Sequence, residues 1–210
     1  MRIRNFVAAF VMLFGFTCAA KADSIVFSDN FNTNPGQSAI ASGAIDSSTT
    51  GTFYSTDANG NIDIVGPSYF SYLCNTAAES GSCVDLDGTP GPGQITSSPI
   101  TLGPGTYTLS YDIFGTERGV SATTTVMFGP YCDNTYTLAS SAEDVISCSF
   151  TVTSPITTEI VFTSDDPIGD NMGTLIDNVL VTNTPEPGTI ALLAIGLLPL
   201  MWFIRKQRLA

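Results

Sequence analysis

The 210-residue chain contains no histidine. That excludes every mechanism built on imidazole: the Ser-His-Asp triad, the Cys-His pair and His-ligated zinc. Basic residues are also scarce, with Lys and Arg numbering 7 against 19 acids. Six of the seven sit at the ends: Arg2, Arg4 and Lys21 at one, Arg205, Lys206 and Arg208 at the other. Between them stands only Arg118, so residues 23–184 carry 18 acids and one base, a net −17. No nucleic acid is expected as a partner, because neutralising phosphates takes clustered Lys and Arg. This stretch has no lysine, which removes Schiff-base chemistry. The single tryptophan, Trp202, lies near the C-terminus. Helical periodicity is almost missing from the middle of the chain.

What is present begins with an address. Arg2 and Arg4 precede an apolar run at residues 6–16, and Ala20-Lys21-Ala22 closes it with a small-x-small pattern. This order of basic, apolar and small-residue regions is that of a cleaved signal peptide, residues 1–22, with Ala20 and Ala22 as its cleavage pattern. The run is too short to span a bilayer, which takes about 20 apolar residues. Gly15-Phe16-Thr17 before Cys18 lacks the small residue a lipid-modified cysteine requires beside it.

At the other end, Pro185-Glu186-Pro187 leads into an apolar stretch at residues 188–204, then Arg205, Lys206 and Arg208. As a helix, 17 residues reach roughly 26 Å, the short end of a transmembrane span. The positive-inside rule places the basic cluster in the cytoplasm and the acidic section outside. The tail resembles the PEP-CTERM sorting signal of Gram-negative envelope proteins: Pro185, Glu186 and Pro187, a short apolar helix containing Gly196 and Pro199, then a terminal basic cluster. The resemblance implies processing near Pro-Glu-Pro by a membrane-embedded exosortase, and delivery to the cell surface or an extracellular matrix. Pro185 and Pro187 forbid regular helix and hold an extended backbone that a processing enzyme can grip. A plain single-pass anchor, with the membrane as lasting partner, is the alternative.

Removal of Cys18 with the signal leaves Cys74, Cys83, Cys132 and Cys148. An even set in an exported chain points to two disulfides. Of the three pairings, Cys74–Cys83 and Cys132–Cys148 are favoured because both close short loops. The loop-entropy model assigns each roughly 2.5–3 kcal/mol. No Cys-x-x-Cys spacing suggests a metal.

Residues 23–184 are long enough for one hydrophobic core. Period-2 alternation bounded by Gly, Pro, Asn and Asp recurs at residues 24–27, 61–65, 105–114, 123–128, 146–152, 159–163 and 175–181. Tyr107, Leu109, Tyr111 and Ile113 share one face, with Thr108, Ser110 and Asp112 on the other. Many short strands with Gly/Pro turns predict an all-β antiparallel β-sandwich or jelly roll. The stretches Phe27-Ser28-Asp29-Asn30-Phe31, Val84-Asp85-Leu86-Asp87-Gly88, residues 102–112 and Ile176-Asp177-Asn178-Val179 resemble galactose-binding-type jelly rolls, which include carbohydrate-binding modules. The resemblance implies a structural calcium tying the first strand to the last, with Asp177 as ligand and Asn32 where an acidic partner is expected.

Three chemistries are open to such a body. Calcium suits the hard oxygens of Asp85-x-Asp87-Gly88, Asp165-Asp166, Asp170-Asn171 and Asp177-Asn178, although none forms an EF-hand loop. The expected metal residues are thus Asp177, Asn32, Asp85 and Asp87. Polysaccharide binding is suggested by tyrosines, above all the loop of residues 66–74 with Tyr69, Phe70 and Tyr72. A carboxylate pair is able to run glycosidase chemistry without histidine, but 18 acids make a close pair almost inevitable. The expected whole is a non-enzymatic, exported surface or matrix protein with a binding or structural sandwich. A secreted hydrolase is the remote alternative.

Overall fold

The computed structural model describes residues 23–46, 50–56, 61–70, 72–74, 81–167 and 170–184. The signal segment with Ala20 and Ala22, the Pro185-Glu186-Pro187 motif, the apolar stretch 188–204 and the cluster Arg205, Lys206 and Arg208 lie outside these residues. Among the described residues there is no helix.

The strands form two antiparallel layers. The first runs Glu143–Val152, Gly105–Phe114, Leu175–Thr184, Cys83–Asp85, Ile62–Val65, Gln37–Ile40, and Ser24–Asp29 also pairs with Leu175–Thr184. The second runs Cys132–Leu138, Ala122–Phe128, Ile160–Ser164, Gln94–Ser97, Phe53–Ser55, Gly43–Ala44. Two small ribbons pair Ile100–Leu102 with Ile156–Thr158 and Asp87–Gly88 with Gly91–Pro92. The turn in the second ribbon carries a cis Thr89–Pro90 peptide bond.

The alternation read from the sequence becomes the core. In Gly105–Phe114, Tyr107, Leu109, Tyr111 and Ile113 are buried, while Thr108, Ser110 and Asp112 are half-buried on the outer face. Buried residues from both layers join one cluster, so the two inner faces pack on each other. A chain of rings crosses between the layers. Phe27 meets Phe53 at 5.4 Å, Phe53 meets Phe162 at 5.8 Å, and Phe162 meets Tyr111 edge-on at 5.1 Å. Each fully buried phenylalanine contributes about 1.5–3 kcal/mol by leaving water. The outer faces are carpeted with hydroxyl pairs across neighbouring strands, such as Thr108–Ser149 at 2.9 Å and Thr125–Thr135 at 2.8 Å.

Both expected disulfides form: Cys74–Cys83 and Cys132–Cys148. The second joins the edge strand Cys132–Leu138 of one layer to Glu143–Val152 of the other, so it closes one side of the sandwich.

All seven predicted strand segments are strands, with boundaries moved by a few residues. The structure adds several that periodicity did not show. Cys132–Leu138 is rich in Asp, Asn and Thr and exposes most of its residues. It is an edge strand, and its pairing with Ala122–Phe128 overrides weak intrinsic propensity. Gln37–Ile40 and Gly43–Ala44 are too short for any alternation to register.

Candidate functional site

The loop after Ile62–Val65 carries the aromatic group singled out in the sequence. Pro67 sits in a tight turn closed by hydrogen bonds from Gly66 N to Tyr69 O at 2.8 Å and from Tyr69 N to Gly66 O at 2.9 Å. Gly66 is required there, since a Cβ would lie 2.9 Å from the Pro35 carbonyl oxygen. Phe70 adopts a φ of 50°, which reverses the chain before Leu73 and Cys74 enter the interior. The Cys74–Cys83 bond then ties the loop to the Cys83–Asp85 strand.

Tyr69, Phe70 and Tyr72 form a continuous edge-to-face series, with centroids 4.5 Å and 6.0 Å apart. Phe70 is 45% exposed and Tyr72 64%. Tyr69 is half-buried and donates to Asp63 Oδ2 at 3.4 Å, while Ala39 N donates to Asp63 Oδ1 at 2.7 Å. Burial, and next the Asp63 charge, push the Tyr69 phenol upward, so its proton stays on and remains available to donate. The arrangement is a rigid apolar step with a carboxylate at its inner edge. The other tyrosines divide by role. Tyr107 and Tyr111 are core, Tyr131 and Tyr136 pack against it, and Tyr54 is exposed. A separate shallow recess of about 460 Å³, lined by Met127, Val161, Thr157, Thr158 and Glu159 among others, shares no residue with the aromatic loop.

A second group lies where the ribbon Asp87–Gly88, the loop 115–121 and the turn 170–174 meet. In Val84-Asp85-Leu86-Asp87, Val84 and Leu86 enter the core, so alternation sends Asp85 and Asp87 the other way. Both acids are nonetheless buried beneath the loops. Asp85 Oδ1 accepts from Asp87 N and Gly173 N, both at 3.0 Å, and its Oδ2 pairs with Arg118 Nη2. Arg118 also donates to Asn171 O at 2.7 Å and Thr116 O at 3.2 Å. Burial pushes Asp85 up to about 6, and Arg118 opposes that rise. Asp87 is fully buried. Burial, together with the neighbouring Asp170, pushes it up to about 7.

A third pair forms at the end of the first strand. Asp29 Oδ1 accepts from Phe31 N at 3.0 Å, and burial with the nearby Asp46 pushes Asp29 up to about 7. The pairs Asp29–Asp46 and Asp87–Asp170 each lie within hydrogen-bonding reach. Glycosidase carboxylates stand about 5–5.5 Å or further apart.

The four residues expected to hold metal fall into different roles. Asn32 acts as a cap, its side-chain oxygen accepting from Ser82 N at 2.6 Å. Asp85 is saturated by Arg118 and two N–H groups. Asp177 Oδ1 accepts from Asn178 N at 2.7 Å, and its strand position pairs with Asp112. Asn32 carries an amide where the resemblance places an acidic partner for Asp177. Among the described residues no three acids or cysteines converge as a metal cluster.

No family model matches the chain, and no curated protein does. Solved structures that it is similar to include the CBM22-1 xylan-binding domain from Paenibacillus barcinonensis Xyn10C, at 11% identity and a TM-score of 0.44, covering 79% of this chain and 98% of that one. The K3 cleaved adhesin domain of Lys-gingipain from Porphyromonas gingivalis is similar at 12% identity and a TM-score of 0.47, covering 77% and 99%. A family 16 carbohydrate-binding module is similar at 16% identity and a TM-score of 0.40, covering 60% and 89%. At these scores the likenesses are loose.

Proposed function

We propose that the chain is an exported surface or matrix protein whose sandwich binds a neutral extracellular polysaccharide through the aromatic step of Tyr69, Phe70 and Tyr72. The observation that carries this reading is the exposure of Phe70 and Tyr72 on a loop held by a disulfide. Phe70 and Tyr72 keep much of their surface in water, and a stapled loop loses little conformational entropy on binding. Sugar C–H faces stack on such rings. The net charge of −17 over residues 23–184 repels acidic polymers, which selects neutral ones.

Export is supported by the signal pattern and by two disulfides, bonds that persist in oxidising compartments. The Pro185-Glu186-Pro187 tail makes an exosortase the processing partner.

Affinity electrophoresis of the full chain in gels cast with xylan, β-glucan, mannan or galactan tests the binding. Retardation is expected in at least one gel. The double variant Phe70→Ser, Tyr72→Ser should weaken it roughly 30-fold, at about 1 kcal/mol per ring. Unretarded migration in every gel, or equal retardation of the variant, rejects the reading. Intact mass of the mature protein tests the sorting. Loss of the residues beyond Pro-Glu-Pro supports it, and an intact tail in the membrane fraction makes the protein a permanent anchor.

A further inference from the structure

An edge strand leaves one row of backbone N–H and C=O groups without strand partners, and folds blunt such edges with bulges, brevity, charge or proline. Most edges here are blunted. Gln37–Ile40 is broken by a register shift and by Ala39 at a φ of 57°. Ser24–Asp29 is bulged between Ile25 and Phe27. Gly43–Ala44 has two residues. Cys132–Leu138 opens on Asp133 and Asn134, both exposed and both poor strand formers.

Glu143–Val152 carries none of these devices along most of its length. It ends its sheet, is 10 residues long, and pairs with Gly105–Phe114 from end to end without a register shift. It contains no proline, glycine or lysine, and its only charges, Glu143 and Asp144, stand together at one end. Among the described residues no backbone hydrogen bond reaches its outer edge. Its side chains are also incompletely covered. Ile146, Cys148 and Phe150 lie opposite Tyr111, Leu109 and Tyr107. Those three are buried, whereas Ile146, Cys148 and Phe150 stay half-buried, and Val145 is 69% exposed.

The strand is complementary to itself. Antiparallel pairing about Ser149 sets it against Ser149 of the partner subunit, and Ser147 against Thr151 of the partner subunit. On the other face Ile146 meets Val152 of the partner subunit, and Cys148 meets Phe150 of the partner subunit. Hydroxyls therefore face hydroxyls and apolar groups face apolar groups. Glu143 and Asp144 fall beyond the paired span, so no acid of the strand faces another. This match selects a second copy over a foreign strand.

We propose that Glu143–Val152 pairs edge to edge with the same strand of a second copy, joining two sheets into one across a two-fold axis. Such an interface is isologous and closes at a dimer. Repulsion between two bodies of net −17 opposes it, so salt favours it. The aromatic loop follows Ile62–Val65, four strands along the sheet. The pairing does not use that loop, and sugar binding succeeds or fails without bearing on it.

The test is sedimentation of the full chain in detergent, at several protein concentrations, from 0.01 to 1 M NaCl. Screening shortens from about 30 Å to about 3 Å over that range, and the dimer should tighten at least about 10-fold. Ser149→Lys sets two cations face to face on the axis and should weaken the dimer at least about 10-fold. Its Tm should change little, because Ser149 is exposed. Ser147→Lys, exposed on the same face, repeats the test if the first variant fails to fold. Gln37→Lys adds the same charge at the opposite edge of the sheet and should leave the dimer intact. A wild type that stays monomeric at every salt concentration overturns the proposal. So does a dimer that survives in a folded Ser149→Lys or Ser147→Lys variant, which would put the contact elsewhere in the chain.

Discussion

Asp29 should make the stability of this protein fall as pH rises. Its carboxyl is 1% exposed and pushed from 3.8 to about 7, first by burial and then by the nearby Asp46. In the unfolded chain Asp29 ionises near pH 4. Between pH 4 and 7 the folded chain therefore holds a proton that the unfolded chain has released. Unfolding then releases a proton, so raising the pH favours unfolding. The contribution is fully present below pH 4 and is lost as pH rises to about 7. At 1.36 kcal/mol per decade of proton activity the total is of the order of 2–4 kcal/mol. Asp29→Asn removes the titration and keeps an oxygen able to accept from Phe31 N. The variant should match the wild type near pH 4 and exceed it by about 2–4 kcal/mol at pH 8. Thermal unfolding of the full chain, followed by near-UV circular dichroism of its tyrosines in a fixed concentration of chelator, measures the difference. Parallel curves for the two proteins from pH 4 to 8 would refute the assignment of a buried, protonated Asp29.

Other perturbations probe the frame. Replacing Cys132 and Cys148 together by Ser should cost about 3 kcal/mol, from a sequence separation of 16 residues, and lower Tm by roughly 6–12 °C by calorimetry. An unchanged Tm would contradict the role of that bond as a staple between the layers. Phe162→Ala should cost about 3–5 kcal/mol in urea titration, because the ring lies at the centre of the aromatic chain with no exposure. Arg118→Ala should cost about 3–5 kcal/mol by leaving the Asp85 charge uncompensated. Adding Asp85→Asn to that variant should restore part of the loss, and no recovery would show that Arg118 acts through the loop carbonyls instead.

The strands that were legible in the sequence are those with an inward and an outward face. Gly105–Phe114 and Leu175–Thr184 alternate because each covers the core on one side and water or a loop on the other. Cys132–Leu138 escaped notice because an edge strand with few buried side chains leaves no pattern to read. The aromatic loop was legible as a group, since Tyr69, Phe70 and Tyr72 are close in the chain. Which rings stay in water was not, because exposure depends on how the loop is folded back, with Phe70 at a positive φ and Cys74 bonded to Cys83.

The acids divide in the same way. Asp85 and Asp87 drew attention by their spacing, yet spacing alone treats them alike. Packing separates them, giving Arg118 to Asp85 and leaving Asp87 with Asp170. By itself the sequence determined the layered all-β form and the uneven charge, and favoured the disulfide partners that form, because these depend on period, counts and short separations. Tertiary structure decided which cation meets which acid, that the second disulfide bridges the layers, and which acids are buried. Those outcomes arise from contacts between segments far apart in the chain, and burial and pairing are properties of the packed whole.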